Sequence, residues 1–229
     1  MKDIHKSCLQ SQANILNDFE HVQWSENNID LEKYPAIEMA VNNKKWAHVS
    51  DYIRLLVLKK YGGIYLDCDV MIKRNFDDII NREMFIGYMW DCDLGTAVIG
   101  ARPQHKIISD LLQIYDSADF KFDFSMANNF IFTRYFCDHV SNFQLNGRAD
   151  DLLDVSVLDK YSFEHPKIFA DSGYSVHYFD ASWKGEAKLK RLAKEKIIKI
   201  IGLPLYRKYV CFKSFHVSPF KNEYMKYNR

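Results

Sequence analysis

SDYIRLLVLKKYGGIYLDCDV, residues 50–70, is the stretch whose reading decides the fold. It is entered by apolar residues at helical spacing: Trp46, Val49, Ile53, Leu56, Val57 and Tyr61. Gly62 and Gly63 then stop the helix, because glycine reaches helix-ending backbone conformations at little cost. A short apolar strand, Ile64-Tyr65-Leu66, follows and ends in two carboxylates, Asp67 and Asp69. Asp51 and Arg54 stand three apart on the helix and so share a face. Asp67 and Asp69 stand two apart, so a strand continuing through them points both to one side and Cys68 to the other, into packing. Two carboxylates leaving a buried strand are costly without a neutralising cation. A hard divalent ion with oxygen ligands answers that need best.

Outward from this stretch, helices and strands alternate. Upstream, residues 4–17 read as a helix and residues 21–24 as a short strand closed by a polar turn at residues 25–28. Residues 34–42 read as a short helix with Pro35 in its first turn, where a missing N–H does no harm. Residues 44–61 form the strong helix. Downstream, residues 70–72 continue extended beyond the acidic pair, and residues 77–80 make a helical turn. Strands are expected at 84–89 and 96–100, followed by a helix from Pro103 through Tyr115 with Ile107, Leu111, Leu112 and Ile114 as its apolar stripe. Residues 128–143 read as a helix, and 155–158 and 175–178 as weaker strands. The alternation points to an α/β domain.

The chain has 229 residues, enough for one sizeable core, and 48% of them are hydrophobic, which excludes a disordered chain. A net charge of +1 gives no global argument for binding nucleic acid. Five cysteines occur singly, with no CxxC spacing, which argues against a disulfide framework or a zinc site and for a reducing compartment. With no signal peptide and no bilayer-length apolar run, the expected location is the cytoplasm. The expected organisation is a catalytic domain over 1–183 and a basic amphipathic tail over 184–229. From Lys184 to Lys213 that tail carries Lys188, Lys190, Arg191, Lys194, Lys196, Lys199, Arg207 and Lys208 against only Glu186 and Glu195, with Leu189, Leu192, Ile197, Ile198, Ile200 and Ile201 as apolar surface. Two readings stay open: the tail packs its apolar stripe on the domain, or 184–213 lies on the inner face of a membrane.

The run WAHVSDYIRLLVLKKYGGIYLDCDV (46–70) resembles the DXD-motif region of family 32 glycosyltransferases, which include capsular and lipopolysaccharide transferases and are similar to the catalytic domains of clostridial glucosylating toxins. The resemblance extends to FIGYMWD and LGTAVIGA within 85–101 and to VHYFDASW at 176–183. It implies a GT-A-like fold, a mixed sheet flanked by helices, with a nucleotide-sugar (UDP- or GDP-sugar) and a divalent Mn²⁺ or Mg²⁺ on its diphosphate. Carried over to this chain, Asp69 is the direct metal ligand, Asp67 contacts donor or metal, and His177 completes the metal shell. Ser50, Asp51 and Arg54 hold the donor sugar, Arg54 adds charge near the diphosphate, and Ser182 and Trp183 close over it. The implied activity is metal-dependent retaining transfer of a sugar to a polysaccharide or lipid-linked glycan. Family members open on an apolar strand, whereas Met1 here falls in the helix that follows it. The expected sheet therefore lacks that strand, and a catalytically impaired GT-A-like binding or scaffold protein is the alternative.

Plainer readings stand beside these. Asp67 and Asp69 are also the residues that cap a turn, and Asp51 and Arg54 also make an ordinary surface pair. His177 and Trp183 also suit a core. His48 and Trp46 read as structural, and Asn128 and Asn129 as a helix cap. An apolar strand ending Asp-x-Asp also opens haloacid-dehalogenase phosphatases. Those place the motif near the N-terminus, and here it is mid-chain with no later Gly-Asp-x-x-x-Asp.

Overall fold

The helix that Trp46 opens and the two strands after it set the architecture. A computed structural model describes residues 3–117, 120, 128–167, 173–180 and 188–228. In chain order the elements are helix α1 (Asp3–Ile15), α2 (Glu38–Asn42), α3 (Trp46–Tyr61), strands β1 (Gly63–Leu66), β2 (Val70–Ile72), β3 (Met84–Trp90) and β4 (Asp93–Ala101), and helices α4 (Lys106–Asp116) and α5 (Asn129–His139). Then come β5 (Asp150–Asp151), β6 (Ser156–Leu158), α6 (Lys160–Phe163), β7 (Ser175–His177), and helices α7 (Lys188–Ile201), α8 (Leu203–Val217) and α9 (Lys221–Tyr227).

Five strands form one sheet in the order β1-β4-β3-β6-β5, with β3 and β6 parallel and the other pairs antiparallel. This is the α/β organisation that the alternation pointed to and the mixed sheet flanked by helices that the resemblance implied. A separate ribbon pairs β2 with β7, with Val70 opposite His177. That register carries a residue from late in the chain to the end of the acidic turn.

Successive residues of β3 point to opposite faces, so Met84 and Ile86 enter one apolar cluster and Phe85 the other. The larger cluster takes the buried stripe of α4 (Ile107, Ile108, Leu111, Leu112, Tyr115) together with Leu55 and Leu58 of α3. The smaller stacks Phe76, Phe85, Phe163 and Tyr174. Phe220, beyond α8, is buried in the larger cluster, so the C-terminal segment contributes to the core.

Several expectations need correction. Residues 21–24 form no strand: none of the described strands pairs with them, and Trp24 instead stacks on Tyr61. β1 ends at Leu66 rather than running through Asp69, and a turn closed by Val70 N–H donating to the Asp67 carbonyl separates it from β2. Cys68 is exposed and not packed. Trp46 opens α3 on its solvent side, 53% exposed. The basic stretch expected as one helix up to Lys213 is divided between α7 and α8, broken at Gly202, whose φ of 80° is a conformation glycine adopts without strain.

Gly62 ends α3 with φ 67° and ψ −154°, and its N–H donates to the Leu58 carbonyl. A Cβ there would lie 2.6 Å from Pro103 Cδ and 2.7 Å from Pro103 N. Gly63 also has positive φ, but open space surrounds it. Gly62→Ala should therefore destabilise the protein by about 3 kcal/mol, combining backbone strain with overpacking, and Gly63→Ala by about 1 kcal/mol through strain alone. Denaturant unfolding of the two variants checks the order, and equal losses would refute the role given to Pro103.

Candidate active site

The helix side of the site is an ion pair made by spacing. Asp51 and Arg54 project from the same face of α3, both buried, with Arg54 Nη2 2.8 Å from Asp51 Oδ1. The same Nη2 lies 3.5 Å from Asp67 Oδ1, and Nη1 donates to the Thr96 carbonyl on β4 at 2.6 Å. Tyr65 donates its hydroxyl to Asp67 Oδ1 at 2.8 Å, and the guanidinium sits 4.8 Å from the Tyr65 ring centroid. Ser50 supports Arg54: its carbonyl accepts from Nε and its hydroxyl from Nη2. Burial opposes the Arg54 charge, and Asp67, Tyr65 and Asp51 more than offset it, so the guanidinium is held above its ordinary pKa. Burial lifts the Asp51 carboxyl against the pull of Arg54.

The acidic turn aims the second carboxylate away from this pair. Asp67 N–H donates to the Ala97 carbonyl, which anchors the start of the turn on β4. Asp69 then faces β7, where His177 Nε2 lies 3.2 Å from its Oδ1. Phe179 has φ 51°, a strained value for a bulky residue. That conformation lets Tyr178 N–H reach the Asp69 carbonyl while Asp180 N–H donates to Asp69 Oδ2 at 2.8 Å. His177 Nδ1 donates to Glu164 Oε2 at 2.7 Å. Glu164 fits because β4 carries Gly95 opposite it, where a Cβ would lie 2.5 Å from Glu164 Oε1.

Electrostatics follow from this contact set. Burial disfavours the His177 imidazolium, yet Glu164 and Asp69 overcome it and raise its pKa to about 10. Burial likewise pushes Asp69 up, but hydrogen bonding and charge from His177 and the Asp180 N–H bring it down to about 2. The imidazolium thus occupies the place of a cation beside Asp69. Ligand atoms of Asp67, Asp69 and His177 lie within 4.8 Å of one another. Two carboxylates and an imidazole suit Mn²⁺ or Mg²⁺, and the Glu164 contact on the far ring nitrogen is how ligating histidines are oriented. The residues fit a divalent ion, whose binding would release the His177 proton.

Of the residues singled out from sequence, Asp51, Arg54 and Asp67 share one network, with Ser50 at its edge. Asp67, Asp69 and His177 share the other. Ser182 and Trp183 lie outside the described residues. Asn128 makes no capping bond; it accepts from the Thr96 hydroxyl. His48 is buried beside Asp51, 3.8 Å away. Sequence reasoning missed Thr96, Tyr65, Glu164 and the Asp180 amide. Tyr65, two before Asp67 in a strand, had a detectable signal. Glu164 had none, because nothing near it in sequence marks a partner for His177.

A family model described as glycosyltransferase sugar-binding region containing DXD motif matches residues 2–86, the span that holds Ser50, Asp51, Arg54, Asp67 and Asp69. The chain is 25% identical to an uncharacterised glycosyltransferase of Acanthamoeba polyphaga mimivirus, across 84% of this chain and 80% of that protein. It is 33% identical to glucan organizing enzyme 1 of Cryptococcus neoformans, over 33% of this chain and 24% of that one. Among solved structures it is similar to the PaToxG glycosyltransferase, with a TM-score of 0.39 and 24% identity over 48% of this chain and 42% of that chain.

His165, next to Glu164, is buried with its ring against Trp90 and Phe179, and Nε2 donates to the Met89 carbonyl at 2.6 Å. Burial drives its pKa from 6.5 to about 3, so between those values the unfolded chain holds a proton that the folded protein does not. Lowering the pH from about 7 to about 5 should destabilise the parent relative to His165→Gln, since the depressed histidine loses its contribution as pH falls below its unfolded value. Melting temperatures of both proteins across that range test it, and parallel curves contradict it.

Proposed function

We propose that the chain is a metal-dependent retaining glycosyltransferase of family 32, moving a hexose from a UDP- or GDP-sugar to a polysaccharide or lipid-linked glycan. The observation that carries this reading is the convergence of Asp67, Asp69 and His177 beside the buried Asp51–Arg54 pair. Asp69 and His177, with Asp67, would hold Mn²⁺ or Mg²⁺. Such an ion supplies Lewis-acid stabilisation of the charge that grows on a departing diphosphate.

The chain's own residues divide the remaining work. Arg54 is saturated by Asp51, Asp67, Ser50 and Thr96, so its first task is to position Asp67 and keep a fixed positive charge beside it. Asp67 is about a quarter exposed at its side chain, against a tenth for Asp51, and is the carboxylate open to a donor hydroxyl. Glu164 holds the His177 ring with Nε2 turned toward Asp69, fixing which nitrogen is offered to a cation. In the retaining outcome the acceptor hydroxyl attacks from the face that the diphosphate leaves. The similarity to glycosyltransferases across residues 2–86 supports the reaction class.

Asp69→Ala should abolish metal-dependent turnover across a panel of nucleotide-sugars while leaving the circular dichroism spectrum unchanged. Turnover that survives the substitution ends the metal assignment. Nucleotide binding without turnover in the parent protein would favour the binding or scaffold reading.

Glu164→Gln tests the support of His177 separately. It should weaken Mn²⁺ binding by roughly 10–100-fold, with activity recovered at saturating metal. Calorimetric titration of metal and initial rates against metal concentration read the two effects.

A further inference from the structure

The last two long helices present an apolar ridge to solvent. On α8, Leu205, Tyr209, Phe212 and His216 recur at the spacing of one helix face, and all are exposed, Tyr209 at 61% and Phe212 at 64%. Lys208 and Lys213, also exposed, flank that face on either side. α7 adds exposed Ile197, Ile200 and Ile201 together with exposed Lys196 and Lys199. The opposite side of α8 is what holds it to the body: Arg207 and Cys211 are its buried residues, and Arg207 Nη2 donates to the His177 carbonyl. A helix fixed by one face, with aromatic and aliphatic side chains exposed along the other, needs a partner for that other face.

Charge says which partner. Residues 184–213 hold ten of the chain's 31 Lys and Arg but two of its 30 carboxylates, so the rest of the molecule is net acidic. α8 itself contains no acidic residue. An acidic body with a basic, apolar end orients that end toward an anionic layer with an apolar interior. A second copy would set the like-charged ridges against each other.

Beneath the ridge is a cavity of about 280 Å³ whose lining includes Lys160, Lys167, His165, Arg207 and Lys208, with no carboxylate among the described residues. Arg207 is 4% exposed and lies 4.2 Å from the Phe179 ring centroid. Its Nε has no hydrogen-bond partner and no carboxylate pairs with it among the described residues. Burial lowers its pKa to about 10. Glu164 and Asp69 act on it through charge without bonding to it, and a phosphate oxygen would satisfy the unbonded Nε. Lys208 belongs both to this lining and to the flank of the ridge, and so links the two.

We propose that this surface docks on an anionic phospholipid leaflet. Leu205, Tyr209 and Phe212 enter the headgroup–acyl boundary, Lys196, Lys199, Lys208 and Lys213 meet the phosphates around them, and one headgroup phosphate enters the cavity at Arg207. None of the described helices is long and apolar enough to cross a membrane, and this mode of attachment requires none. The inference holds whatever reaction the Asp67 cluster serves. Through the bond from Arg207 to His177 it places that cluster next to the lipid surface.

Flotation of the full chain with phosphatidylcholine vesicles, with and without phosphatidylglycerol, tests the docking. Binding should require the anionic lipid and weaken as salt is raised. Lys208→Gln with Lys213→Gln should weaken it by about thirtyfold, at roughly fivefold for each lysine. Tyr209→Ser with Phe212→Ser should weaken it as well, and since these side chains are exposed, circular dichroism should show both double variants folded. Free glycerol phosphate at equal ionic strength should leave vesicle binding intact. Equal binding to neutral vesicles, binding retained by both double variants, or full competition by glycerol phosphate would each overturn the proposal. So would a dimer in sedimentation analysis that Tyr209→Ser with Phe212→Ser dissolves, because the ridge would then belong to a second copy.

Discussion

The Arg54 guanidinium is the interaction on which the rest of this site depends. One buried cation touches Asp51 on its own helix, Asp67 beyond the end of β1, and the Thr96 carbonyl on β4. Three elements are thereby fixed at one point, and each contact also offsets the cost of burying charge. Deleting Asp51 or Arg54 leaves the other charge buried and less compensated, and such a loss costs far more than a surface ion pair contributes. The geometry of the acidic turn follows, because Asp67 is held both by Arg54 and by the Tyr65 hydroxyl. With Asp67 held, the chain turns so that Asp69 meets His177 while its carboxylate stays within 4.8 Å of Asp67.

A second anchor meets the first at that turn. The β2–β7 ribbon sets His177 opposite Val70, and Glu164 then holds the ring while Phe179 bends the backbone over Asp69. The strained φ of Phe179 is accommodated by what it completes: two backbone N–H donors for Asp69, and an aromatic surface stacked on His177 and near Arg207. Charge alternates through the whole assembly, from Asp51 to Arg54, to the Asp67 and Asp69 carboxylates, to His177 and to Glu164. A divalent ion held there would displace the imidazolium proton, because neutral His177 and ionised Asp69 are the forms a metal requires.

Where sequence reading failed, it failed for want of a neighbour in space. Residues 21–24 alternate like a strand, yet alternation describes a surface and not a pairing, and none of the described strands pairs with this one. The side chains of Asp67 and Asp69 were expected on one side of a continuing strand. Instead a turn intervenes, since β2 leaves the main sheet to pair with β7. Cys68 looked like packing by the same logic and lies at the exposed tip of that turn. The tail looked like one basic helix, and Gly202 divides it so that α8 can bury Arg207 and Cys211 while showing Tyr209 and Phe212 to solvent.

The sequence by itself determined α3, its glycine stop, the short strand and the two carboxylates after it, because helical spacing, glycine and an apolar run act on local backbone and need no distant partner. It also determined that Asp51 and Arg54 share a face, which is a property of one helix. Only the tertiary structure decided that Arg54 reaches Asp67 and Thr96, that Glu164 is the partner of His177, and that Asp67, Asp69 and His177 converge. Those contacts join residues 13 to 108 positions apart, through strand pairing and turn geometry. No local pattern encodes which distant carboxylate a histidine will meet; sheet register does, and register is settled only when the core has packed.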